Sequence, residues 1–310
     1  MPADKSNANH SSGQNRKSLS LSLAAFFFFA CLLVVGCFFG DENNGLLVDL
    51  EVINQPPLSV NHWLGTDSLG RDVLTTAILG ARTSLLVGLT AASLAIGFGT
   101  VWGAASALSG RLIGDLMMRL VDALLSIPSL ILLLALTSLI NSPDFARQLP
   151  AWAESFFGIS SYSLGFLPVV SLIAVIAATS WLESARIAHA KISAIRLEEY
   201  IEAARSLGAS KFQILVGHLL PNARRIMFIQ ATLLISDAIV MEAGLSFLGL
   251  GLGPSTPSWG SMLRQAGSDM FFGNWWAPLV PAILISLSVL AVNLFGESML
   301  ALSGEAEKPH

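Results

Sequence analysis

Charge is what this sequence has least of. Asp, Glu, Lys and Arg together make up 12% of the 310 residues, against about 25% in a soluble domain. With 53% of residues hydrophobic, that deficit argues against an ordinary water-soluble globule. Cysteine is scarce too, with only Cys31 and Cys37. Six residues apart on one helix, these two do not share a face, so a mutual disulfide is not expected. No metal-ligand spacing accompanies them. No G-x-x-x-x-G-K-[ST] segment occurs, so the chain cannot cradle ATP in the usual way. The apolar stretches hold no His pair and no nucleophile beside a base, which leaves an intramembrane enzyme without candidate residues. The net charge of −4 is unremarkable, and no nucleic-acid partner is expected.

What the chain does have is long apolar blocks. They run near 20 residues each, the length needed to cross about 30 Å of hydrocarbon. Spans are expected near 19–39, 83–107, 120–140, 166–185, 223–245 and 278–300. The fold class is therefore all-α integral membrane, with six transmembrane helices. Residues 1–18 form an N-terminal tail, 19–82 the first helix and an outer loop, 83–300 a core of five helices, and 301–310 a C-terminal tail. The run Val34-Val35-Gly36-Cys37 looks like a lipoprotein cleavage box. Its apolar block of about 21 residues is long for a signal-peptide core, so it reads as a retained helix.

Orientation follows from basic residues, because Lys and Arg near helix ends stay on the cytoplasmic side. With the N-terminus inside, 13 of the 17 basic residues fall in cytoplasmic segments. Seven of them lie between Arg186 and Arg225. Arg71, Arg82, Arg147 and Arg264 remain outside. Both termini are expected in the cytoplasm, together with the segment 186–225.

That segment contains LEEYIEAARSLGASKFQILVGHLLPN, from Leu197 to Asn222. Glu198 to Leu207 is rich in good helix formers. Gly208 stands where a helix ends on a left-handed residue. Ser210 can cap a second helix, with Gln213 completing a capping-box pattern. Pro221 interrupts the pattern before the next span. The result is a helix–turn–helix outside the membrane.

Glu202-Ala203-Ala204, Gly208, Ile214 and Leu220-Pro221 resemble the "EAA" loop of binding-protein-dependent ABC importer permeases. Further segments are similar to the dipeptide, oligopeptide and nickel branch of that family. They are His62-Trp63-Leu64-Gly65-Thr66-Asp67, Gly80-Ala81-Arg82-Thr83-Ser84, Arg119 to Pro128, and Leu245 to Gly251 with Pro257-Ser258-Trp259-Gly260. Within the branch the chain resembles the "C" permease. Gly217 and His189 stand where such relatives often carry Arg, and the outer segment 141–165 is longer than expected.

The resemblance implies a type I ABC importer permease fold with a cytoplasmic coupling helix between helices 4 and 5. It implies a second homologous permease, two ATP-binding subunits that hold ATP and Mg, and an extracytoplasmic substrate-binding protein. It also implies the cytoplasmic membrane of a bacterium or archaeon. Glu202, Ala203, Ala204, Gly208, Ile214, Leu220 and Pro221 would meet the ATPase. The expected cargo is a di- or oligopeptide, with nickel or another small solute as the alternative. An ion-coupled secondary transporter is a further reading, disfavoured by the lack of an internal repeat.

Ionisable residues inside spans are costly and usually functional. Asp237 lies 12 residues beyond Arg225, about 18 Å deep at 1.5 Å per residue. There it faces either the pathway or a helix neighbour. Glu242, Ser246, Phe247, Gly249 and Gly251 are candidates for the pathway or an outer gate, since glycine-interrupted backbone can line a cavity but not face lipid. Arg119 and Asp122 are expected to pair at i, i+3, and Pro128 to kink the third span. No metal or cofactor is expected on this chain.

Overall fold

The structure is a computed structural model that describes residues 24, 27–32, 34–36, 47–140, 166–252, 256–270 and 273–305. The expected first span and the outer segment 141–165 lie largely or wholly outside those residues. Among the described residues the architecture is helical, with two isolated β-bridges, Ser59 to His62 and Thr66 to Asp72.

Helix α1 spans Val73–Leu108. It starts ten residues before the expected span because Asp72 caps it, its Oδ2 accepting from Thr75 N at 2.8 Å and Thr75 Oγ1 at 2.7 Å. Helix α2 spans Arg111–Leu125 and α3 spans Ser129–Ile140. The expected third span, 120–140, holds only the last residues of α2 together with α3, and the two helices meet at 86°. Pro128 explains the break. It has no N–H to continue α2, and its carbonyl instead starts α3 by accepting from Ile131 N and Leu132 N.

Helix α4 spans Phe166–Ile195. Two short helices follow, α5 over Glu199–Ser206 and α6 over Lys211–Ile214. A π-helical turn, Leu215–Leu219, leads into α7, Leu220–Phe247. Helices α8, Trp259–Asp269, and α9, Trp276–Glu305, complete the chain. Four segments are long and apolar enough to cross a membrane: Val73–Leu108, Pro168–Ile195, Lys211–Phe247 and Trp276–Met299. The bent α2–α3 pair supplies a fifth crossing if counted as one. The protein is a multi-pass membrane protein.

Close packing of α1 on α4 organises the bundle. A Cβ at Gly99 would lie 2.6 Å from Trp181 O, and one at Gly103 would lie 2.7 Å from Ala188 Cβ. Small residues at such crossings let backbones approach, which substitutes for the hydrophobic drive that lipid removes. Leu133 of α3, Val175 and Ile176 of α4 and Leu234 of α7 join Val87 and Ala91 of α1 in the central core. A second cluster, at the end of the bundle that carries the short helices, joins α1 and α4 to them through Ile192, Ile201, Ile214 and Leu219.

The loop ahead of α1 folds back onto α8 and α9. Asp67 Oδ2 accepts from Arg71 Nε at 3.1 Å and from Gln265 Nε2 at 3.0 Å. Arg71 also bonds the Gln265 amide oxygen. Trp276 Nε1 donates to Thr66 O at 3.2 Å.

Candidate functional site

The loop between α4 and α7 has the local geometry that its residues dictate. Gly208 ends α5 at φ 89°, and Ala209 N reaches back to Ala204 O at 3.1 Å. This left-handed cap satisfies carbonyls that a helix end leaves open. Ser210 Oγ accepts from Gln213 N at 3.2 Å while Gln213 Oε1 accepts from Ser210 N at 2.8 Å. Both arms of the expected capping box are present.

The loop has two faces. Ile201, Ile214 and Leu219 are buried against the bundle. Glu202, Ala203, Arg205, Gly208 and Pro221 are exposed, and Ala204 and Leu220 are half-buried. Ile214 therefore braces the loop from within rather than presenting itself to a partner. Two large apolar residues that the sequence did not single out are presented instead: Leu207 is 90% exposed and Phe212 73%. Their signal was available, since each apolar residue falls among polar neighbours outside any span.

The π-helical turn after α6 answers to Pro221. An α-helix would require a donor at that position and would crowd the ring against the carbonyl four residues back. In the wider turn Leu220 N instead reaches Leu215 O, five residues back.

Within the membrane-spanning region a cavity of about 170 Å³ opens behind the α2–α3 break. Pro128 and Ser129 line one wall, Thr179, Ser180 and Glu183 of α4 another, and Asp237 and Met241 of α7 a third. Both carboxylates are solvent-accessible in the isolated chain. Neither joins the ion pairs found among the described residues, Asp67–Arg71 and His62–Asp72. Glu183 was missed by sequence reasoning. Its signal was an acid inside an apolar block, the same signal that marked Asp237.

Glu242 and Ser246 take a different place from the one expected. Both are buried, at 0% and 1% exposure, so neither lines an open path. Ser246 Oγ donates to Glu242 Oε1 at 2.8 Å. The hydroxyls of Ser84 on α1 and Ser258 ahead of α8 lie beside the same carboxyl group. Its Oε2 is buried without a hydrogen bond of good geometry among the described residues. The turn that follows is capped at Gly249, φ 81°, and Gly251 sits against Ser246. Phe247 and Leu248 project from it, half-exposed or more.

The pairing expected between Arg119 and Asp122 is not among the ion pairs of the described residues. Both side chains are exposed on α2. There a pair gains at most about 0.5 kcal/mol and must overcome side-chain entropy.

Residues 95–304 match the family of binding-protein-dependent transport system inner membrane components. The dipeptide transport system permease protein DppC of Bacillus subtilis is 32% identical over 286 residues, covering 91% of this chain and 81% of that protein. A Brucella suis protein carrying a peptide-permease name is 37% identical over 253 residues, covering 81% of this chain and 75% of its own length. Among solved structures, a chain of the inward-facing MetNI methionine ABC transporter matches with TM-score 0.55 and 19% identity, covering 74% of this chain and 96% of that one. The chain belongs to the family of binding-protein-dependent transport system inner membrane components.

Proposed function

We propose that this chain is one of two permease subunits of an ATP-driven importer that moves short peptides inward. The observation that carries the reading is the cavity at the α2–α3 break, where Asp237 and Glu183 reach a shared space in a chain of this family. Carboxylates on spanning helices do not face lipid. They face a water-filled path or the companion permease, and a peptide's terminal ammonium is a fitting counter-charge. The peptide class rests on the names of the relatives and on that charge.

A second homologous permease would close the path. Two ATPase subunits would hold ATP and Mg, because this sequence has no phosphate loop. They would grip the exposed face of α5 and its turn, from Glu202 through Leu207 and Gly208 to Phe212. A substrate-binding protein would deliver cargo to the opposite side. The basic-residue distribution supports this orientation, with both termini in the cytoplasm. Arg119, Asp122 and Pro128 keep structural roles at the inner end and break of the third crossing. Phe247 and Leu248 at the end of α7 are the gate candidates, held by Glu242, Ser246, Gly249 and Gly251.

Co-purification followed by an ATPase assay tests the reading. The wild-type chain should bring down a second permease and the ATPases, and a Glu202→Ala, Gly208→Val double variant should lose or uncouple them. A lone chain fully active on a proton gradient would overturn it.

A further inference from the structure

The docking helix α5 is attached to the bundle in two ways. Ile201 plugs it into the inner apolar cluster, a contact that lets packed helices slide by small amounts. The second attachment is directional. Asn222, in the first turn of α7, donates from Nδ2 to Tyr200 OH at 3.0 Å and to His218 O at 2.8 Å. Tyr200 is the second residue of α5, and its ring lies 6.2 Å from that of His218. One amide thus joins the start of the docking helix, the π-helical turn and the start of α7.

The site of this clasp matters mechanically. π-helical turns are rare and concentrate where function retains them. Here the turn separates α6 from α7, with Leu219 buried in the apolar cluster that also holds Ile201. Asp237 lies 15 residues beyond Asn222 on α7, about 22 Å along the helix.

Resting on the proposal that α5 docks an ATPase, we infer that Tyr200 and Asn222 are positioning residues that bridge the π-helical turn and make α7 follow the docking helix. Closure of the ATPases would then move the Asp237-bearing face of α7 as one body with α5. Without the clasp, α5 would slide on its Ile201 plug and the motion would dissipate in the π-helical turn.

The test uses the full complex in lipid nanodiscs. Backbone hydrogen exchange over residues 220–247 is measured with and without ATP plus vanadate, for wild type, Tyr200→Phe, Asn222→Ala and the double variant. In wild type the nucleotide should change exchange in α7. Tyr200→Phe, which loses one hydrogen bond, should shrink that change about fivefold, and Asn222→Ala, which also loses the bond to His218 O, at least as much. The double variant should be no worse than Asn222→Ala, because that variant already removes the contact that Tyr200→Phe removes. Asn222→Asp, whose carboxylate can accept from Tyr200 OH with the bond reversed but cannot donate to His218 O, should restore only part of the response. Subunit recovery and vanadate trapping should stay at wild-type levels throughout.

A wild-type α7 that does not respond to nucleotide would overturn the inference. So would variants that respond like wild type, or single effects that multiply in the double variant. Loss of the ATPases from Tyr200→Phe would place Tyr200 in the docking contact itself and also overturn it. Failure of the docking reading is distinguishable, because it shows as ATPases retained and coupled in the Glu202/Gly208 double variant.

Discussion

Ser246 Oγ donates a 2.8 Å hydrogen bond to Glu242 Oε1 one helical turn earlier, and both side chains are shut off from solvent. The pair sits where three elements converge. Ser84 of α1 accepts from Trp259 N at 3.1 Å, Trp259 Nε1 donates to Ala77 O at 3.0 Å, and a Cβ on Gly260 would lie 2.7 Å from Ser246 Cβ. Glu242 is therefore a fixed post beside the gate candidates Phe247 and Leu248, not a wall of the path.

Substitutions at Glu242 should separate shape from hydrogen bonding. Gln keeps the acceptor for Ser246 and places an amide beside the Ser84 and Ser258 hydroxyls, where Oε2 now has no well-made bond. Glu242→Gln should leave thermal stability in detergent unchanged or raised. Glu242→Ala leaves a cavity and strands Ser246, for a loss of about 2–4 kcal/mol. Gly251→Ala should also destabilise, by about 1–3 kcal/mol, because its Cβ would meet Ser246 Cα at 2.5 Å. Gly267→Ala, whose Cβ meets nothing within 4 Å, serves as the control. Equal melting temperatures for Glu242→Gln and Glu242→Ala would refute the post.

Local chemistry made parts of this molecule legible from sequence. Gly208 and the Ser210–Gln213 box announce where one helix stops and the next begins, because each feature acts within a few residues. The break at Pro128 was legible only as a kink. How far a chain turns after losing one donor depends on what fills the space behind it, and here that space is a cavity walled by α4 and α7. The same limit explains Glu183 and Glu242. Both are acids in apolar blocks, yet one borders a cavity and the other is sealed in a serine-lined core. Only the packing of α1, α4 and α7 decides between them.

Asp269 at the end of α8 gives the loop ahead of α1 a pH response. Burial pushes its carboxyl above the ordinary aspartate range, and the charge of Asp67 adds to that, while hydrogen bonds from Ser68 oppose it. A carboxyl raised on folding binds its proton more tightly in the folded state. Its stabilising contribution is fully present below the unfolded aspartate value and is lost as pH rises through the folded value. As pH rises from about 4, the unfolded aspartate value, the wild-type melting temperature should fall relative to Asp269→Asn. Parallel melting curves over that rise would exclude Asp269 as the titrating group.

Asp237 and Glu183 carry the last expectation, because their cavity is the proposed meeting place of charge and cargo. If a peptide ammonium passes between them, removing either charge weakens that interaction in the membrane interior, where screening by water is weak. Asp237→Asn and Glu183→Gln should each lower uptake of radiolabelled dialanine into proteoliposomes about tenfold, equivalent to about 1.4 kcal/mol. Subunit recovery and basal ATP hydrolysis should be retained. The deeper Asp237 should have the larger effect, since Glu183 lies only three residues from Arg186 at the inner boundary. Asp237→Glu should recover part of the loss, because the charge returns at a displaced position. Neutral variants with wild-type uptake would remove both carboxylates from the path and leave the cavity as a packing defect behind Pro128.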